Sequence, residues 1–388
     1  MLYDKTPSQQ LMKNMNQQKV LHLIYSAGSI TRVELAEKTG LTQQTITNIV
    51  NRLLLDKIVV EGEPTVSSGG RKPIPLMINN ANLYAIGVEV TIKHVRGVLI
   101  NFQREVLEET ELRIDVFRDE THTLQCITET IERLLAKLGS AQQIKGVGIS
   151  VQGLVDAKQG VVLYAEKMKW RQFNLRERLE RHFPFPVHVE NDVNLLAIVE
   201  NMDGLLEASV NNITCKLDEG IGGAVVCNKQ LYAGSDHIAG EIGHYKAFHG
   251  RKARPCHCGS RGCLTTVASI GGMEEVTGLP FSRLMANVRA GDAKAIRFVK
   301  MAGEAIAGTL TNLVTFMNPD HLLLTGKIVD EAGVILVPII REHLQKNGLF
   351  HCRSVRVVQK DRTPDGAVMA ARLVIKQMFA APVSTLSY

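Results

Sequence analysis

The stretch 251-RKARPCHCGSRGC-263 sets three cysteines, Cys256, Cys258 and Cys263, within eight residues. That spacing is too tight for a disulfide framework. Zinc takes four nitrogen or sulfur ligands in a tetrahedron, so three thiolates call for one more ligand. His244 and His249 lie upstream in 238-IAGEIGHYKAFHG-250, and His257 sits between two of the cysteines. Alternate positions tend to point apart, which counts against His257. His244, twelve residues before Cys256, is at a suitable loop-closing distance. The expectation is a Zn2+ site of His244, Cys256, Cys258 and Cys263, closed and structural.

The compartment fits that reading. No run of about 18 apolar residues is present, which excludes a spanning helix, and MLYDKTPSQQLMKNMNQQ has no apolar signal region. A cytoplasmic protein is expected, where structural disulfides are rare. Cys126, Cys215, Cys227 and Cys352 are scattered and read as small core residues. The chain has 388 residues, 45% hydrophobic and 22% charged, so two or three globular units are expected. A formal charge of +6 permits a polyanionic partner without requiring one.

Residues 1–80 differ from the rest. They are rich in Gln, Asn and Thr, hold nine Lys+Arg against six Asp+Glu, and end in 64-PTVSSGGRKPIP-75, a run of turn and breaker residues. From about residue 82 apolar strand candidates appear at 83–90, 95–100, 145–151, 187–190, 213–217, 222–227, 321–326 and 354–359. Helix candidates lie at about 121–138, 174–182, 192–200, 292–317, 332–346 and 364–379. The alternation predicts α/β layers. Strand-rich starts at 83 and 213 suggest two related lobes with a cleft between them.

Within the first 80 residues, 31-TRVELAEKTGLTQQTITNIVNRLL-54 carries a helix-turn-helix pattern. Thr31 and Glu34 form a capping box, Leu35 and Ala36 face inward, Gly40 supplies the turn, and Thr42 caps a second helix. Ile46, Ile49, Val50, Leu53 and Leu54 make one apolar stripe. The opposite face shows Gln43, Gln44, Thr45, Thr47, Asn48 and Arg52. Gln and Asn can pair bidentately with adenine in the major groove, and Thr can meet a base edge or methyl group. Residues 57–64 and 71–78 read as a hairpin whose tip, 67-SSGGR-71, would carry Arg71 and Lys72 to phosphate or the minor groove.

The whole of residues 15–380 resembles the ROK family (repressors, open reading frames, kinases), in its DNA-binding repressor branch. The matching elements are the helix-turn-helix, the SSGGRKP wing, 150-SVQGLVD-156, Trp170, 190-ENDVN-194, 220-GIGG-223, 241-EIGH-244 and 256-CHCGSRGC-263. The resemblance implies a winged helix-turn-helix (1–80) on a two-lobed, actin-like ATPase (RNase H-like) body, with lobe 1 at 81–205 joined by the C-terminal helix 364–388, and lobe 2 at 206–363 with the zinc. It also implies that Asn191, Asp192, Glu241 and His244 bind sugar hydroxyls, with Gly153, Lys167 and Thr265 in the same site. Metal on one nitrogen would fix the His244 ring and leave the other nitrogen for the ligand.

Three positions depart from the family pattern. The phosphate loop of the kinases, Asp-x-Gly-Gly-Thr, is 89-EVTIK-93 here, whose side chains keep backbone amides from a phosphate. A Glu two residues after the last cysteine is Thr265, and an Asn three residues before the Trp is Lys167. Both changes make the site less negative, which suits an acidic or phosphorylated sugar; drift in a silent site is the plainer alternative. The expected function is a repressor of carbohydrate genes, with no catalytic residues. It would bind a double-stranded DNA operator as a homodimer or homotetramer and respond to a sugar or sugar phosphate. The alternatives are a sugar kinase with a vestigial head, and a regulator controlled by a partner protein.

Overall fold

The computed structural model describes residues 9–63, 73–114, 120–138 and 143–380. The chain opens with α1 (Gln9–Ala27), β1 (Ile30–Thr31), α2 (Arg32–Thr39), α3 (Gln43–Leu55), β2 (Val59–Glu61) and β3 (Pro75–Ile78). Thr31 caps α2 in a full capping box: its hydroxyl accepts from the Glu34 amide, and the Glu34 carboxylate accepts from the Thr31 amide at 2.8 Å. Gly40 ends α2 in the left-handed region at φ 72°, where a side chain would be strained. The Thr42 hydroxyl then caps α3 by accepting from the Thr45 amide. Ile46, Ile49, Val50 and Leu53 are buried with Leu35, while Leu54 and Ala36 are half-buried. The three short strands form one sheet in the order β1-β3-β2, with Val59 opposite Ile78. This is a winged helix. Its expected tip, with Arg71 and Lys72, lies outside the described residues.

Next come β4 (Leu83–Val90), β5 (His94–Asn101), β6 (Val106–Arg113), α4 (Glu120–Leu135) and β7 (Gln143–Val151). An insert of three strands follows, β8 (Leu154–Asp156), β9 (Val161–Ala165) and β10 (Trp170–Asn174). After it come α5 (Leu175–Glu180), β11 (Val187–Asn191) and α6 (Asp192–Asp203). The second half repeats the plan. It comprises β12 (Asn212–Leu217), β13 (Ile221–Cys227) and β14 (Gln230–Leu231), then α7 (Thr265–Ala268), α8 (Ile270–Thr277), α9 (Phe281–Arg289) and α10 (Ala293–Met317). It closes with β15 (His321–Thr325), α11 (Lys327–Asn347), β16 (Arg356–Gln359) and α12 (Gly366–Phe379).

The two five-stranded sheets run β11-β7-β4-β5-β6 and β14-β13-β12-β15-β16. Numbered within its own half, each reads 5-4-1-2-3, so the halves share one topology. That is the duplication expected from the two strand-rich starts, and it makes the body an actin-like, RNase H-like α/β fold.

The chain divides into two compact units: residues 1–149, 175–188 and 370–388, and residues 150–174 and 189–369. These limits differ from a division at 80 and 205. In the second unit, α6 packs its Val193 and Ala197 on Ala224 and Val226 of β13. The main core of that unit sets Ala302, Ile306 and Leu310 of α10 against Ala332, Leu336 and Ile340 of α11, over Ile213, Cys215, Leu322 and Leu324. Burial pushes the Cys215 thiol up to about 12, as befits a core residue.

In the first unit the winged helix is tied to the end of α12. Gln18 Nε2 donates to Met378 O at 2.7 Å and to Ala380 O at 2.9 Å, and His22 Nδ1 meets Phe379 O at 2.8 Å. The Phe379 ring stacks on Tyr25 at 4.1 Å and meets Phe102 edge-on at 5.8 Å. A helix C-terminus leaves carbonyls without partners, and α1 supplies them here. Among the described residues no helix is long and apolar enough to cross a membrane. Replacing the α2 cap, Thr31→Ala, should cost about 1 kcal/mol, read as roughly fivefold faster amide exchange in residues 32–39.

Candidate functional site

The site grows from a close approach of two backbones in the second unit. The segment 240–244 lies directly on β13. A Cβ on Gly240 would sit 2.3 Å from Gly223 O, one on Gly223 2.7 Å from Gly240 O, and one on Gly243 2.3 Å from Ile221 O. Gly222 and Gly223 of the 220-GIGG-223 stretch thus have packing reasons of their own, against Val193 and Ile242. The segment ends in the 3-10 turn Ile242–His244, whose cap Glu241 and last residue His244 stand three positions apart on one ledge.

The imidazole of His244 faces two ways. Its Nδ1 lies 3.6 Å from Cys256 Sγ, and its Nε2 lies 3.9 Å from Glu241 Oε2. Cys258 and Cys263 sulfurs are 3.7 Å apart. That is far beyond the roughly 2.05 Å of a disulfide. One ligand atom from each of His244, Cys256, Cys258 and Cys263 falls within 4.8 Å of all the others. With zinc–sulfur bonds of about 2.3 Å and zinc–nitrogen bonds of about 2.0–2.1 Å, a regular tetrahedron has S···S edges of about 3.8 Å and S···N edges of about 3.6 Å. The donor set and its spacing fit such an ion. Burial, and then the positive charges of His257 and Lys246, hold His244 below its usual pKa, which favours the neutral ring a metal needs.

The cysteine loop is braced. Backbone bridges join Lys246 to Cys263 and Pro255 to Arg261. His257 flanks the four ligand atoms, with its Nδ1 3.8 Å from Cys256 Sγ. Its ring meets His244 edge-on at 5.1 Å, and its Nε2 lies 3.2 Å from Glu166 Oε2. Glu166 begins the 3-10 turn Glu166–Met168, which also carries the exposed Lys167. Trp170, next along, is fully buried against Phe173 at 4.8 Å.

Asn191 and Asp192 sit at the start of α6. The Asn191 carbonyl oxygen caps the helix, accepting from the amides of Val193 at 2.8 Å and Asn194 at 3.1 Å, and its Nδ2 donates to Gly153 O at 2.9 Å. Its amide group is therefore largely engaged in structure. Asp192 Oδ2 accepts from Lys216 Nζ at 2.9 Å, and the two side chains are only 14% and 17% exposed. Glu241 keeps 42% of its side-chain surface open, yet dense protein surrounds its carboxylate. That desolvation raises its pKa, and the Asp192 charge raises it further. Two carboxylates and one ammonium thus share this face. Thr265 is buried at the start of α7, behind the last cysteine.

Of the expected ligand residues, Asn191 is hydrogen-bonded to Gly153 and His244 faces Glu241, while the charge of Asp192 is felt at Glu241. Lys167 is joined to the cysteine loop through its neighbour Glu166. Sequence reasoning missed Lys216, Lys246 and the Glu166–His257 pair. The signal for Lys216 was a single charge in the apolar strand 213-ITCKL-217.

In the first unit, the turn between β4 and β5 falls on the stretch 89-EVTIK-93. The Thr91 hydroxyl accepts from the amides of Lys93 at 3.2 Å and His94 at 3.1 Å. Amides so engaged offer a phosphate nothing. On α3, Gln43, Gln44, Asn48 and Arg52 are exposed. Gln44 Nε2 donates to Asn48 Oδ1 at 3.3 Å, one helical turn on. Thr45 and Thr47 are half-buried, and the Thr47 hydroxyl bonds back to Gln43 O at 2.8 Å. Among the described residues of the outward set, the amides and Arg52 are the exposed groups.

A winged helix joined to a duplicated actin-like body defines a modular class: a DNA-binding fold on a kinase-like scaffold. The chain belongs to the ROK family, whose description matches residues 85–377, and residues 13–56 match the MarR family. It is 28% identical to the xylose repressor of Bacillus spizizenii over 86% of this chain and 88% of that protein. It is 25% identical to the DNA-binding transcriptional dual regulator NagC of Escherichia coli K12, over 95% and 94%. A ROK family transcriptional regulator homologous to the Escherichia coli MLC protein superposes with a TM-score of 0.82 at 24% identity, covering 95% of this chain and 97% of that one. A ROK glucokinase from Streptomyces griseus, solved with glucose and AMPPNP, gives 0.61 at 22%, covering 75% of this chain and 98% of the kinase. The kinase thus leaves a quarter of this chain unmatched, whereas the regulator spans nearly all of it.

Gly243→Ala should force Ile221 and the 240–244 ledge apart, cost about 1–3 kcal/mol and lower the thermal midpoint. Gly220→Ala, where nothing lies within 4 Å of the added carbon, should leave the midpoint unchanged.

Proposed function

We propose that this ROK protein is a sequence-specific DNA-binding repressor of carbohydrate-metabolism genes, controlled by a sugar or sugar phosphate and carrying one structural zinc. The observation that carries the reading is the head: α2, the Gly40 turn and α3 with an amide-rich exposed face, on a chain whose relatives at this length are DNA-binding regulators. Two copies would set two recognition helices on half-sites about one helical turn, or a multiple, apart.

Phosphoryl transfer is the competing activity, and two features speak against it. The amides of the β4–β5 turn are engaged by Thr91, and Asp192, the general base by resemblance, is paired with Lys216. The Lys216 ammonium sits on a carboxylate oxygen that a general base would need free for a substrate hydroxyl. The same residues can serve binding. Asp192 and Glu241 accept hydrogen bonds from hydroxyls, and His244 Nε2 faces the same side as Glu241. Lys216 makes this face less negative, and Lys167 adds a positive charge on the turn that Glu166 joins to the cysteine loop, which favours an acidic or phosphorylated carbohydrate.

Cys256, Cys258, Cys263 and His244 would hold the zinc ion, which would tie the loop to the ledge and fix the His244 ring, leaving Glu241 to orient the ligand. Ligand alters operator affinity only if it binds the DNA-competent and released states unequally.

Operator binding, followed by fluorescence anisotropy at one salt concentration, should weaken about 5- to 150-fold in Gln44→Ala or Asn48→Ala. A random duplex should show little change. Isothermal titration with glucose, xylose, N-acetylglucosamine and their 6-phosphates identifies the effector class, and tight binding of a neutral hexose alone would rule out the anionic preference. ATP-dependent phosphate incorporation into any of them would overturn the regulator-only reading. Elemental analysis should give one zinc per chain, and its removal by chelator should weaken effector binding.

A further inference from the structure

One lysine beside the cysteine cluster has no part in the reading above. Lys246 follows the His244 turn on the antiparallel bridge to Cys263, a pairing continued by Tyr245 O, which accepts from the Leu264 amide at 2.9 Å. The bridge aims the lysine side chain along the loop. Its Nζ ends 2.8 Å from Cys263 Sγ, the most buried of the three sulfurs. Lys246 is otherwise an exposed residue with open water available to it, yet its ammonium folds back onto sulfur. A neutral thiol is a weak acceptor, whereas a thiolate attracts an ammonium strongly. Charge counting gives the reason. Three thiolates and a neutral imidazole around a divalent ion leave one negative charge, part of it on a sulfur shut away from solvent.

We infer that Lys246 is the charge partner of the metal-bound Cys263 thiolate, donating an N–H···S hydrogen bond that compensates the extra negative charge and slows loss of the metal. The inference rests on the zinc reading and adds to it a positioning residue that touches no metal. Outer partners of this kind typically change metal affinity by about 10- to 100-fold when removed.

The test uses the full-length protein loaded with Zn2+ or Co2+. Release to a chromogenic chelator should be at least about tenfold faster in Lys246→Met than in wild type, and Lys246→Arg should restore most of the difference. The sulfur-to-cobalt charge-transfer band should move to longer wavelength in Lys246→Met, because a sulfur lone pair without its hydrogen bond is more easily ionised. A packing role alone would leave that band in place. Lys246→Gln, which retains a neutral N–H donor, provides a second variant should the Met form fail to fold, and its band should lie between the two. Equal release rates with an unmoved band in the variants would overturn the inference while leaving the metal site standing. Absence of any cobalt–thiolate band in wild type would overturn the metal reading and this inference together.

Discussion

The second unit depends on one steric condition: the backbone at 240–243 must touch the backbone of β13. Gly223, Gly240 and Gly243 meet it by having no side chain at the contact. The ledge so formed fixes where Glu241 and His244 stand, and hence where the cysteine loop must fold to reach His244 Nδ1. The loop then reaches further through His257 to Glu166, beside Lys167 and close in sequence to the buried Trp170. A carboxylate and a metal-type cluster thereby meet the two nitrogens of one imidazole.

The two sheets of the body share one strand order, and two polar contacts sit at their margins. The Thr91 hydroxyl caps two amides of the β4–β5 turn. Lys216 occupies Asp192. Neither contact disturbs the sheets, because both lie at strand ends or on one side chain of a central strand.

Much of this was legible in the sequence. The capping box, the Gly40 turn and the apolar stripe of α3 are local, and local patterns survive folding. Strands such as 83–90 and helices such as 292–317 stood out because burial on one or both faces writes a period into the residues. Other elements left no such mark. β6, 106-VLEETELR-113, is an edge strand with mostly exposed side chains, so nothing forces alternation on it. Among the described side chains of α1 only Val20, Leu21 and Ile24 are buried, all in its second half, which leaves the first half without a stripe. In the site, the four metal-type ligands were readable from spacing, whereas Lys216 and Lys246 were not. Each acts on a residue 17 to 24 positions away, and such pairings exist only once strands and loops are placed.

The grip of α1 on the end of α12 sets an order on the protein's birth. His22 and its partner carbonyl at Phe379 are 357 residues apart. At typical synthesis rates of 5–20 residues per second, roughly 20–70 s separate their emergence. During that interval the winged helix can form, but the surface it rests on is missing its final ring and carbonyls. A chain cut short before Phe379 therefore carries a DNA-binding module without its seat, so only a finished polypeptide presents that module in a fixed attitude.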